Sequence, residues 1–241
     1  MNKKINILVV ILLLTRVVIA QEDACLKDVK RVYQLWTKEV KASSDKTVYL
    51  KYSTEITTGK TGSLKNNKSI IEVTSNKSNS YFSTSGTKVY QDDKYTVSIL
   101  SDKKIIIING YAGDSYKKKK LGQFEILKDS VFAHLEVQDC NKIIFNKKEY
   151  KKVVLKTNSY GAKIFKIKTI EFLLDEKLNR VKDIKVNYIK GHRINKMRVS
   201  IIKQNLNYSA QLTKVATSKV LGSNGKLLAK YRGYRLIDNR N

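Results

Sequence analysis

The sequence predicts an α+β fold: a large curved antiparallel β-sheet, a half-barrel of about ten strands, with two main helices covering its concave face. Three features predict it. Many short segments alternate apolar and polar residues with period two, and short turns join them. Two other segments repeat apolar residues at spacings of three and four, as one face of a helix does. Strand and helix patterns do not alternate as a parallel sheet requires, and consecutive strands joined by short turns pair antiparallel.

The chain starts with Asn2, Lys3 and Lys4, followed by an apolar run from Ile5 to Leu14 broken only by Asn6. After Thr15 and Arg16 come Val17-Val18-Ile19-Ala20 and then the polar Gln21-Glu22-Asp23. A basic start, a short apolar core and a small residue before a polar stretch make a secretory signal peptide over residues 1–20, cleaved after Ala20. The run is shorter than the roughly 20 residues a membrane span needs. Glu22-Asp23-Ala24 lacks the aliphatic residue that a lipoprotein signal places three before Cys25, so no lipid attachment is expected. The remaining residues, 21–241, read as a single extracytoplasmic domain with its own core.

Ala24 to Ala42 reads as the first helix, with Leu26, Val29, Val32, Tyr33, Trp36 and Val40 on one stripe. From Thr47 the period becomes two: Val48, Leu50, Tyr52, Thr54 and Ile56 share one side of a strand. Thr58 to Gly62 is a turn, and weaker strands follow at Ser69–Thr74, Ser80–Thr84 and Lys88–Gln91. Tyr95, Val97 and Ile99 alternate in the next strand, and Ser101-Asp102 separates it, as a tight hairpin, from Lys103–Asn109. Gly110 to Lys120 is irregular and carries the run Lys117–Lys120. The second helix is placed at Leu121–Val137, with Phe124, Leu127, Val131, Phe132 and Leu135 on its apolar face. Strands return at Lys142–Phe145, Tyr150–Thr157 and Lys163–Leu174, then around Ile184–Tyr188 and Met197–Ile201. A last pair, around Lys219 and Lys226–Ile237, flanks the hairpin signal Asn224-Gly225.

The formal charge is +27, and removal of Lys3, Lys4 and Arg16 leaves +24. Of the 48 basic residues eight are Arg, which argues against a nucleic-acid reader built on bidentate arginines. The charge fits either a solvated lysine coat or a surface for anionic membrane head groups. Cys25 and Cys140 either form one disulfide in an oxidising compartment or remain two separate buried thiols. His134 and His192 have no clustered partners in sequence, so no metal site is expected, and no cofactor fingerprint or G-x-S-x-G elbow appears. Adjacent strand residues point to opposite faces, so Asp92-Asp93 reads as a turn cap rather than an acid/base pair.

The order of signal peptide, amphipathic helix, meandering strands, central helix and further strands resembles the LolA/LolB superfamily of periplasmic lipoprotein carriers. The stretch SYFSTSGTKVYQDDKYTVSILSDKKIIIING, Ser80 to Gly110, is similar to the family's strand–turn–strand region with an aromatic and a short Asp-containing turn. Arg31, Arg180, Arg193 and Arg198 are candidate hosts for the family's helix-locking arginine. The resemblance implies a LolA-like domain over 21–241 that binds lipid or lipoprotein acyl chains without catalysis, in an apolar cavity between sheet and helices. The period-two pattern nominates Tyr52, Ile56, Tyr95, Val97, Ile99, Tyr188, Met197 and Val199 as inward residues. Phe124, Phe132 and Leu135 of the second helix complete the expected wall. The alternative is that these faces pack as a dry core, leaving a basic cell-envelope interaction protein with no ligand cavity.

Overall fold

The computed structural model describes residues 24–35, 38, 46–59, 63–76, 78–110, 129–209, 212 and 215–240. Among them a helix, α1, covers residues 24–35. The first six strands are β1 (Val48–Thr58), β2 (Lys65–Ser75), β3 (Ser80–Ser83), β4 (Thr87–Gln91), β5 (Tyr95–Leu100) and β6 (Ile105–Gly110). A single turn of helix, α2 (Asp129–Phe132), precedes β7 (Leu135–Phe145) and β8 (Lys148–Thr157). Helix α3 (Ser159–Phe165) leads into β9 (Ile167–Asp175), β10 (Arg180–Tyr188) and β11 (Ile194–Asn205), and β12 (Arg235–Asn239) comes last. The strands hydrogen-bond in the order β12-β6-β5-β4-β3-β2-β1-β11-β10-β9-β8-β7, an open and mostly antiparallel sheet. Strand β12 runs parallel to β6.

Several boundaries differ from the sequence reading. The second helix was expected to reach Val137, but Leu135–Val137 belong to β7, where Leu135 pairs with Thr157 and Val137 with Leu155. Leu135 and Val137 lie inward of the exposed Glu136, so a strand alternation there reads equally as part of a helical face. Residues 121–128, including Phe124 and Leu127, lie outside the described residues. The strand expected at Lys163–Leu174 starts only at Ile167, because α3 occupies Ser159–Phe165. Asn158 caps that helix by accepting from the Gly161 N–H, and Lys166 ends it in the left-handed region at φ 58°. Between β5 and β6 stands a 3-10 turn, Ser101–Lys103, closed by Lys104 at φ 50°, rather than a two-residue hairpin. The Asn224-Gly225 turn exists, with Gly225 at φ 72°, but it joins only an isolated bridge between Leu221 and Leu227. The flanking residues form 3-10 turns at Ala216–Lys219 and Ala229–Tyr231 instead of strands.

The chain divides into two compact units. Among the described residues, the first comprises 24–35, 57–59, 63–65 and 129–198. Its core is the face of β8–β10 that carries Val153, Leu155, Ile170, Phe172, Ile184 and Val186, all buried. Val29, Val32 and Tyr33 of α1 are also buried, and the Tyr33 ring packs 5.7 Å from Phe132 and 6.3 Å from Phe172. Cys25, at the start of α1, is disulfide-bonded to Cys140 of β7 with a Cα separation of 6.5 Å. Lys151 adds an ion pair to Asp28 at 2.6 Å. Burial works against the Asp28 carboxylate, but Lys151 and Arg31 outweigh it and hold that carboxyl below its ordinary pKa. The opposite face of these strands is polar, with Glu171 between Lys152 and Lys185.

Among the described residues, the second unit comprises 38, 46–56, 66–76, 78–110, 199–209, 212 and 215–240. Its core joins Val97 and Ile99 of β5 to Ile106 and Ile108 of β6, under Ala216, Val220 and Leu221. Asp92 fastens this cover. One carboxylate oxygen accepts the Lys94 and Tyr95 N–H groups at 2.8 and 2.6 Å, and the other accepts the Ala216 N–H at 2.6 Å.

Candidate apolar binding face

The strand register of the second unit sorts its side chains into two faces. Glu72 pairs with Ser83, Ser83 with Lys88, Lys88 with Ile99, and Ile99 with Ile106. Directly paired residues share a face, so Glu72, Tyr81, Tyr90, Val97, Ile99, Ile106 and Ile108 all project from one side. Lys51 of β1 meets Glu72 at 2.6 Å, which places Lys51 and Tyr49 on that side as well. At β5 and β6 this is the side closed by the Ala216–Leu221 segment.

The other face is apolar too. Val73 pairs with Phe82, Phe82 with Val89, Val89 with Ser98, Ser98 with Ile107 and Ile107 with Ile237. Ile71, Leu100 and Ile105 lie on the same side by alternation, as do Tyr52 and Ile56 of β1. Apart from Tyr52, these side chains are neither fully buried nor fully exposed. The unit therefore has one face packed dry at β5–β6 and another on which a band of aliphatic and aromatic side chains is half covered. Such a band favours contact with an apolar ligand, at about 25 cal/mol for each Å² of apolar surface removed from water. No charged side chain lies on it at β3–β6, because Lys88, the one charged residue of these four strands, projects from the opposite face.

The residues nominated from sequence fall into separate groups. Ile56 and Tyr52 project to the side of the half-covered band, where Tyr52 is buried as Val48 and Leu50 of β1 are, whereas Tyr95, Val97 and Ile99 belong to the packed face. The sequence reading put all five on one inward side. Period two states which residues of a strand share a side, and only the register between strands states which sides coincide. Val97 and Ile99 are 0 % and 2 % exposed and make the core itself. Tyr95 is half-buried under the Arg240 guanidinium, 5.8 Å from its ring centroid. Burial pushes the Tyr52 phenol up to about 12, so it stays protonated at neutral pH. In the first unit, Phe132 and Leu135 are buried, and Tyr188 stacks on His192 at 4.6 Å. Met197 is half-buried in β11, and Val199 is buried in the second unit.

Phe82, Val89 and Ile107 were not singled out from sequence. A signal existed for Ile107 alone: Ile105-Ile106-Ile107-Ile108 is a continuous apolar run, the mark of a strand apolar on both faces. Among the described residues no group of three or more His, Cys, Asp or Glu side chains is arranged to hold a metal ion.

No protein-family model matches the sequence, and no curated protein does. The chain is similar to several solved structures. One is the LolA superfamily protein NE2245 from Nitrosomonas europaea, with 8 % identity, a TM-score of 0.31, and coverage of 77 % of this chain and 97 % of that one. Another is LprF from Mycobacterium bovis, at 8 % identity and a TM-score of 0.38, covering 76 % of this chain and 95 % of that one. A third is MucB in the Pseudomonas aeruginosa MucA/MucB complex, at 9 % identity and a TM-score of 0.37, covering 85 % of this chain and 63 % of that one.

Proposed function

We propose that this chain is an exported, extracytoplasmic carrier that holds acyl chains of lipid or lipoprotein against the half-covered apolar face of the second unit, without catalysis. The observation that carries the reading is that face: Val73, Phe82, Val89, Ser98, Ile107 and Ile237 in register across six strands, all but one of them apolar and incompletely covered. The N-terminal signal pattern and the Cys25–Cys140 disulfide support export, with the mature chain starting at Gln21. An anionic membrane surface is a fitting second partner for a chain of charge +24 after cleavage.

The test uses a dansyl-labelled fatty acid and the full mature protein. Binding in the micromolar range, roughly −8 kcal/mol, is expected. Val89→Lys puts a charge on the proposed face and should weaken binding about tenfold or more with the fold retained. Val97→Lys, by contrast, buries a charge in the dry core and should unfold the second unit. Absence of probe binding, or full binding by Val89→Lys, defeats the carrier reading and leaves a basic envelope interaction protein.

A further inference from the structure

The second unit contains a cleft that the acyl-chain reading does not use. It lies where the β3–β4 hairpin meets the 3-10 turn Ala216–Lys219, and has a volume of about 170 Å³. Drug-sized ligand pockets run from about 300 Å³ upward, so this one has room for about a single ring with one substituent, and none for an extended acyl chain.

Its walls are aromatic and cationic. The Tyr81 and Tyr90 rings lie 5.0 Å apart across the hairpin, and the Lys219 ammonium stands 5.9 Å from the Tyr90 ring centroid. Asn79 and Ser80 add polar groups, and Leu212 adds an apolar one. None of the lining residues is acidic, and Lys219 has no carboxylate partner among the described residues. Burial, with Tyr81 and Tyr231 close by, pushes the Tyr90 phenol up to about 12, so it is a hydrogen-bond donor at neutral pH. The site is pre-organised, because Asp92 ties the Ala216 N–H to the β4–β5 turn.

This chemistry selects the ligand. A cation would meet Lys219 with no counter-charge, and a plain aliphatic group would leave the ammonium without an anion. A ring seated against the tyrosines with an anionic group at Lys219 satisfies both. We propose that the cleft between the β3–β4 hairpin and Ala216–Lys219 is a binding site for a small ring-bearing organic anion, a carboxylate or a phosphate monoester.

Isothermal titration of the mature protein with phenyl phosphate and with benzoate tests this, with inorganic phosphate and benzyl alcohol as the charge-only and ring-only arms. At least one of the first two should bind saturably with a Kd below about 1 mM, and each single-feature arm about tenfold more weakly or worse. Lys219→Gln, a substitution at a partly exposed position, should weaken the binding about tenfold, and Tyr90→Phe should weaken it while leaving the ring in place. Binding of neither anion overturns the proposal. So does binding that Lys219→Gln leaves unchanged, or inorganic phosphate or benzyl alcohol binding as tightly as the best ring anion. The proposal stands apart from the carrier reading: Lys219→Gln should retain dansyl fatty-acid binding, so the two fail separately.

Discussion

Asp92 shows how much a single side chain decides. It is 2 % exposed, and its two oxygens take three backbone N–H groups, one of them from Ala216, 124 residues further along the chain. The sequence reading made Asp92 a turn cap, and its bonds to Lys94 and Tyr95 are that cap. The bond to Ala216 has no signature in sequence, because nothing local pairs the two positions. Removing the carboxylate leaves a buried donor without an acceptor, which costs about 1–3 kcal/mol for each group that water does not reach. Asp92→Ala should therefore lower unfolding stability by about 2 kcal/mol or more in urea denaturation, whereas the exposed Asp93→Ala should stay within about 0.5 kcal/mol. Equal effects of the two substitutions would contradict the clasp.

At the scale of elements, patterning succeeded where one side of an element faces one environment. The α1 stripe of Val29, Val32 and Tyr33 is buried as its spacing predicts. Patterning failed at α3, whose seven residues are too few to show a helical period and whose limits are set by its caps. Asn158→Ala should cost about 1 kcal/mol by leaving the Gly161 N–H unpaired. Gly161→Ala should cost more, since a Cβ there would stand 2.7 Å from the His134 Cβ. Thermal unfolding of the two variants checks the order, and a neutral Gly161→Ala would show that α3 can shift away from His134. The parallel β12 was also out of reach of pattern reasoning. Its five residues alternate no differently from an antiparallel strand, and only the return of the chain beside β6 fixes its direction.

For the whole molecule, the longest-range covalent constraint is Cys25–Cys140, which spans a sequence separation of 115. Closing a loop of that length restricts the unfolded chain by about 4–5 kcal/mol on the chain-entropy account. Reduction, or Cys25→Ser with Cys140→Ser, should lower stability by up to that amount, most visibly in the first unit, where the bridge ties α1 to β7. Urea denaturation with and without reductant measures it. A reduced protein as stable as the oxidised one would mean that α1 is held without the bridge, by its packing on Phe132 and Phe172 and by the Asp28–Lys151 ion pair.

What the sequence determined by itself follows from properties that act locally. Period-two segments made strands, the short turns made most neighbours antiparallel, and a stripe at spacings of three and four made α1. The lysine excess set the charge. The tertiary structure alone decided which strand faces coincide. An apolar residue on an alternating strand must point to one side, but which side is buried depends on the register with its neighbours and on the segments that arrive from elsewhere in the chain. For this reason Val97 and Ile99, nominated as ligand-facing, are closed under Ala216 and Val220. The half-covered band instead runs through Phe82, Val89 and Ile107 on the reverse side, a partition that depends on strand pairings and a covering segment more than one hundred residues away in the chain.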